Sequence, residues 1–323
     1  MRVLLVGGAG YIGSHVALAF LDKNHTVGIF DNLSSGMIEN IHPGAFFYEG
    51  DILDRKRLGE VCAEGWDAVV HLAAFKAAGE SMIEPEKYSV NNISGSLNLI
   101  IESAGHGIEN FILSSSAAVY GEPVYLPVDE QHPVMPANYY GFTKLEIERN
   151  LAWYEKLRGI RYVSLRYFNA AGYDPRGRVS GLEKNPANLI PVIMEVAGGL
   201  RKELLIFGDD YETEDGTGIR DYIHVTDLAE AHVAALEYAV QSNSSLTVNL
   251  GSESGLSVLD IIKAARRITG KKIPARTVAR RAGDPARLVA SSGLARERLG
   301  WEAKLSGLDE LISTTWDAYS RTL

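Results

Sequence analysis

The apolar run Arg2-Val-Leu-Leu-Val6 leads without a break into Gly7-Gly-Ala-Gly10-Tyr-Ile-Gly13. Few folds accept that junction. Val3 to Val6 predicts a short buried strand, and Ile12, Val16, Ala19 and Phe20 recur at helical spacing over Ile12 to Lys23. Glycines between such a strand and helix let the backbone approach a pyrophosphate, while the helix N-terminus offers unpaired N–H groups and the positive end of its dipole. The spacing is Gly-x-x-Gly-x-x-Gly rather than Gly-x-Gly-x-x-Gly. A second predicted strand, His25 to Phe30, ends in Asp31, eighteen residues after Gly13. An acidic residue there accepts hydrogen bonds from adenosine ribose hydroxyls and repels a 2′-phosphate. No Arg or Lys lies close behind it, so NAD rather than NADP is the expected cofactor.

Strand and helix patterns then alternate. Strands are expected near Phe46–Glu49, Ala68–Leu72, Phe111–Ser114 and Tyr162–Tyr167, with helices near Leu53–Cys62, after Pro85 and around Tyr140–Leu157. This is the pattern of a doubly wound α/β fold, a parallel sheet covered on both faces (Rossmann-type), whose ligands bind beyond the carboxyl ends of the strands. The alternation weakens after Asn169. Residues 1–169 are therefore expected to form the dinucleotide-binding domain and residues 170–323 a smaller α/β substrate domain. Within the latter, a segment near 220–250, including Leu246-Thr-Val-Asn-Leu250, is a candidate to return to the main sheet. Ser257 is the expected N-cap of a helix through Thr269, with Asp260 completing a capping box.

Composition sets limits. A length of 323 residues suits two modest cores. A net charge of −9 argues against a broad nucleic-acid or anionic-membrane surface. The single cysteine, Cys62, excludes an internal disulfide and lacks partners at metal-ligand spacing, so no metal and a reducing compartment are expected. The opening lacks a charged segment followed by a long apolar core, and no apolar stretch approaches the ~18 residues of a membrane span. A cytoplasmic protein is expected.

The chemistry rests on Tyr140 and Lys144, one helical turn apart on one face. A phenol titrating near 10 is a poor base at neutral pH, and bringing it to roughly 7 takes about 4 kcal/mol of differential stabilisation. A nearby ammonium and an oxidised nicotinamide ring are suitable sources. Ser116, just after the Phe111–Ser114 strand, has a hydroxyl able to hold a substrate oxygen beside the phenol. The histidines His71 and His224 are read as structural.

Taken together, Gly7…Gly13, Ser114-Ser-Ser-Ala-Ala-Val-Tyr-Gly121, Tyr140…Lys144, Arg166-Tyr-Phe-Asn169 and Gly218-Ile-Arg-Asp-Tyr-Ile-His-Val225 resemble the extended short-chain dehydrogenase/reductases that modify nucleotide sugars. Within them, the chain is most similar to the UDP-galactose (UDP-glucose) 4-epimerases, through Lys76–Ser81, Phe207–Gly218 and Arg280–Asp284. The resemblance implies an NAD-dependent epimerase with Tyr140 as base, Lys144 on the ribose and Ser116 at the 4-hydroxyl. It implies NAD contacts from Gly7, Gly10, Tyr11, Ile12, Gly13, Asp31, Asn32, Asp51 and Ile52, then from Leu72, Ala73, Ala74, Lys76, Asn91, Ser114 and Phe168. UDP-sugar contacts would come from Lys76, Asn169, Asn188, Leu189, Leu205, Phe207, Arg220, Arg281, Asp284 and Leu288. The two arginines bring guanidinium forks suited to a diphosphate, and Leu288 would border the sugar. Departures are Val6, where Thr is common in the family, and Ala74 in place of a frequent Gly. A homodimer is also implied, as are the neighbouring activities on UDP-N-acetylhexosamines or UDP-pentoses. A non-catalytic NAD(H) sensor of the same fold would have no need of the Ser116/Tyr140/Lys144 set.

Overall fold

The structure is a computed structural model that describes residues 1–183, 186–281 and 284–322. Its strands are β1 (Arg2–Val6), β2 (Thr26–Asp31), β3 (Phe46–Glu49), β4 (Ala68–His71), β5 (Asn110–Ser114), β6 (Arg161–Tyr167), β7 (Asn169–Ala171) and β8 (Leu204–Phe207), followed by β9 (Ile219–His224), β10 (Leu246–Leu250), β11 (Gly255–Ser257), β12 (Ala275–Val278) and β13 (Arg287–Leu288). Seven form one sheet in the order β10-β6-β5-β4-β1-β2-β3. Every pairing in it is parallel.

Two-residue alternation along β1 shows why both faces are covered. Val3 and Leu5 point into a core shared with the Tyr11–Asp22 and Val225–Ser242 helices, and Leu4 and Val6 into one shared with the Arg55–Cys62, Gly95–Gly105 and Tyr139–Arg158 helices. Strand order reverses between β1 and β4. At that switch point the carboxyl ends of neighbouring strands part and leave a crevice.

The second half builds a four-stranded sheet, in which β9 pairs with β11, β13 and β7, and a β8–β12 pair. Its core joins Ile190, Ile193 and Met194 to Ile261, Ile262, Leu311 and Ile312. β10 leaves this half and pairs with β6 at the edge of the large sheet. The Val225–Ser242 helix goes with it and packs along the Tyr11–Asp22 helix. Ser257 and Asp260 do form a capping box.

The helix expected after Pro85 is interrupted. Pro85–Tyr88 and Gly95–Gly105 are α-helical, but Ser89–Ser94 widens into a π-helical turn. The cause lies in Asn92, fully buried, whose side chain accepts from Phe75 N and donates to the Phe75 carbonyl and Thr143 Oγ1. Periodicity of apolar residues carries no trace of an asparagine that must turn inward, and such bulges gather near functional sites. Among the described residues no helix is long and apolar enough to cross a membrane.

Candidate functional site

The glycine turn lies at the switch point. Gly7 has φ +90°, and a Cβ there would fall 2.5 Å from Ala73 N. One on Gly13 would fall 2.3 Å from the Gly7 carbonyl oxygen. Both positions therefore bring backbone against backbone, with Leu72 and Ala73 held to Val6 by N–H···O bonds of 2.8 and 2.9 Å. The helix that follows begins at Tyr11 after Gly10, with no capping side chain and no acid in its first turn. Its N-terminal amides have no capping side chain of their own, a start suited to an anion. Ile12 lies half-buried beside the core.

Asp31 ends β2 beside this turn and is buried. Its Oδ2 accepts Ala9 N–H at 2.9 Å and its Oδ1 accepts Leu33 N–H at 2.9 Å. Burial holds the carboxyl above its ordinary value against those two amides. Asn32 donates to Asp51 Oδ2 at 2.8 Å, and Ile52 beyond it is buried. A turn that excludes a Cβ at Gly7 and Gly13, an uncapped helix start and an acid at the next strand end fit NAD.

The Tyr139–Arg158 helix carries the second group. Asn138 caps it by accepting Gly141 N–H at 2.9 Å, and Gly159, at φ +74°, ends it. The Tyr140 amide donates to Ser81 Oγ at 3.0 Å, a tie from the Lys76–Ser81 segment whose purpose the sequence alone left open. Burial raises the Tyr140 phenol above its ordinary value, while a hydrogen bond from Ser116 pulls it down. Lys144 is 3% exposed and donates from Nζ to the Ser114 carbonyl at 2.7 Å. Burial lowers its ammonium to about 8, against the opposing charge of Glu148. In this arrangement burial dominates at the phenol, because the lysine turns its charge to the strand-end carbonyl. Ser114 Oγ in turn donates to His232 Nε2 at 2.8 Å. Asn91 Nδ2 donates to Asn92.

A third group lines a cavity of about 630 Å³. Asn169, Asn188, Leu189, Leu205, Phe207, Arg220, Arg281 and Asp284 all face it. The Arg281 guanidinium stacks 3.9 Å above the Phe207 ring. Arg220 donates to the Ile219 carbonyl at 2.9 Å and stands 3.8 Å from Asp284. Lys76 and Leu288 are not in this lining. Lys76 forms an ion pair with Glu183. Leu288 packs against the small core of Ala117, Val119, Tyr120, Val128 and Leu145, which Phe168 also meets, so it lies toward the Ser116 turn. Phe168 directly precedes Asn169, which joins the core beside the Ser116 turn to the cavity within two residues. His71 Nε2 bonds Ser96 Oγ, and His224 caps a helix by accepting Thr226 N–H. Both are buried, as structural histidines would be.

Sequence reading gave no role to Glu148, Asn92, Ser81 or Tyr211, although the last two lie in the Lys76–Ser81 and Phe207–Gly218 motifs and Glu148 stands four residues after Lys144 on the same helix face. Tyr211 lines the cavity through a loop no periodicity marks.

The chain is 44% identical over 323 residues to a protein named UDP-glucose 4-epimerase from Streptococcus mutans serotype c, covering 99% of this chain and 97% of that one. It superposes with a TM-score of 0.96 on a UDP-glucose 4-epimerase from Brucella ovis in complex with NAD, at 44% identity and 98% coverage of each chain. A UDP-glucose 4-epimerase from Bifidobacterium longum in complex with NAD+ and UDP gives a TM-score of 0.94 at 37% identity, covering 99% of this chain and 98% of that one. The family model described as NAD dependent epimerase/dehydratase matches residues 3–251. With its glycine turn at the switch point and a tyrosine–lysine pair at the adjoining strand end, the chain belongs to the NAD dependent epimerase/dehydratase family.

Proposed function

We propose that this protein interconverts UDP-galactose and UDP-glucose through a transient 4-keto sugar. The observation that carries the reading is continuity. The Ser116–Tyr140–Lys144 set stands at the same sheet edge as the glycine turn, and Phe168–Asn169 leads from it straight into the arginine-lined cavity. The names of the relatives support the same reading.

NAD, when bound, would supply a reversible hydride acceptor and a positive charge that favours the phenolate. Tyr140 as phenolate would take the proton of the 4-hydroxyl and return it to the oxygen of the 4-keto sugar. The sugar ends with no net oxidation. Ser116 steadies the oxygen and favours the phenolate. Arg220 and Arg281 hold the diphosphate, so binding energy remote from the sugar retains a ketose that must still rotate. Residues 1–169, with the returning 225–250 segment, hold the dinucleotide, and the remainder holds the UDP-sugar.

We further infer that the protein works in the cytoplasm as a homodimer. Trp153 and Leu157, one turn apart on one helix and 61% and 68% exposed, offer an apolar face that a symmetry mate would cover. A monomeric mass by light scattering would refute the dimer. The function is tested by incubating the purified protein with UDP-galactose and no added NAD. UDP-glucose should form, and Tyr140→Phe should abolish it while retaining NAD. Turnover in folded Tyr140→Phe close to wild type would sink the assignment.

A further inference from the structure

Glu148 takes no part in the chemistry above, yet it is buried directly behind it. Its carboxylate is 6% exposed and accepts from Arg166 Nε at 3.0 Å, from Arg166 Nη2 at 2.6 Å and from Ser115 Oγ at 2.5 Å. Arg166 also donates to Tyr120 Oη at 3.1 Å, and Tyr120 donates to Asn249 on β10 at 2.6 Å. The strand end after β5 is thereby gripped from two neighbouring turns of one helix. Lys144 holds the Ser114 carbonyl and Glu148 holds the Ser115 hydroxyl, while Ser116 projects to Tyr140.

We propose that Glu148, clamped by Arg166, is a positioning residue for this site: it fixes the Ser115–Ser116 turn and keeps a negative charge one turn behind Lys144, so that the lysine stays an ammonium during turnover. The inference rests on the Tyr140/Lys144 reading of the preceding subsection. A buried lysine tends to shed its proton, and Lys144 is already drawn down to about 8. Among the described residues its surroundings offer no other anion to retain it. From β4, His71 is pushed down to about 3, and from the Val225–Ser242 helix, beyond Ser114, His232 is pushed down to about 4, so both stay neutral in the working range. On β6, Arg166 stays protonated and Tyr167 is held above its ordinary value, and burial keeps the Tyr140 phenol up. Among the described residues Glu148 is the opposing charge that acts on the ammonium.

A brace between helix and strand would have the same contacts, so the test must read the lysine itself. Protein carrying ¹³C-labelled lysine, with the Lys144 resonance assigned through Lys144→Met, is titrated by NMR. The pH profile of UDP-galactose turnover is measured alongside. Glu148→Gln keeps the shape and an oxygen for Ser115 but loses the charge. The Lys144 midpoint and the alkaline limb of turnover should both move down by about one pH unit, the size expected for losing a close opposite charge. Glu148→Asp should leave both near wild type. If Glu148→Gln does not fold, the double replacement Glu148→Met with Arg166→Met leaves no unpaired charge and should still move the midpoint down, by less, because the Arg166 cation leaves with the carboxylate. A Lys144 midpoint unmoved in either folded variant overturns the inference. If the midpoint moves but wild-type protein turns over no UDP-galactose, the functional reading fails and the inference about the lysine survives.

Discussion

Replacing Asp31 by alanine separates two things the acid does. In a purely ligand-directed view, Asp31 waits for ribose hydroxyls and its loss touches cofactor binding alone. The structure instead has each carboxylate oxygen accepting a backbone amide, from Ala9 in the glycine turn and from Leu33, both at 2.9 Å. Ala9 is fully buried, and Leu33 sits at φ +56°, a conformation that a non-glycine residue holds only with support. Hydrogen bonds to a charged acceptor contribute about 1.5–3 kcal/mol each. The cost of burying the carboxylate, visible in its raised titration, is recovered on removal. The net loss should be about 2–4 kcal/mol. At roughly 2.1 cal/mol/K of unfolding entropy per residue, a chain of 323 residues should melt about 3–6 °C lower. Asp31→Asn keeps one acceptor but turns an NH₂ toward the other amide, so it should fall between the two. Scanning calorimetry without and with added NAD reads both effects: the variant should melt lower without NAD and gain little from it. An Asp31→Ala melting temperature equal to wild type without NAD would refute the claim that the turn hangs on this carboxylate.

Gly13→Ala should lose bound NAD while the sheet still folds, because its Cβ would strike the Gly7 carbonyl oxygen at 2.3 Å. Release of a full complement of NAD on denaturing the variant would contradict this. His15, His71, His224 and His232 are buried and pushed down to about 4, 3, 4 and 4. Each folded value lies below the unfolded one near 6.5, so the unfolded chain binds more protons, and stability present above about pH 6.5 should drain away as pH falls toward 4. A melting temperature flat from pH 6.5 to 4.5 would exclude that linkage. Leu288, on the small core that also takes Ala117 and Phe168, should tune the sugar: Leu288→Tyr should suppress UDP-N-acetylglucosamine turnover relative to UDP-glucose, and Leu288→Ala should raise it, each by about 10- to 200-fold in relative kcat/KM. Equal substrate ratios in both variants would place the gate elsewhere.

The sequence by itself determined the parts that local periodicity and spacing encode. The β1 run, the Gly7–Gly13 turn and Asp31 lie within one βα unit and the strand after it, so their relation is fixed over a few tens of residues. Tyr140 and Lys144 share a face because a helix repeats every 3.6 residues, whatever it packs against. Tertiary structure alone decided what depends on distant groups meeting. The π-helical turn at Ser89–Ser94 exists because Asn92 must reach Phe75 and Thr143. Lys76 faces Glu183 through a loop with no periodicity to read. The Tyr140 phenol is held above its ordinary value because burial, a property of the assembled core, outweighs the hydrogen bond from Ser116. Glu148 shows the boundary most clearly. Its place on the Lys144 face is local, but its partners Arg166 and Ser115 arrive on β6 and at the end of β5, and only the paired strands bring them within reach. Spacing along a chain fixes directions, whereas burial and charge are sums over neighbours, and those neighbours are supplied by the fold.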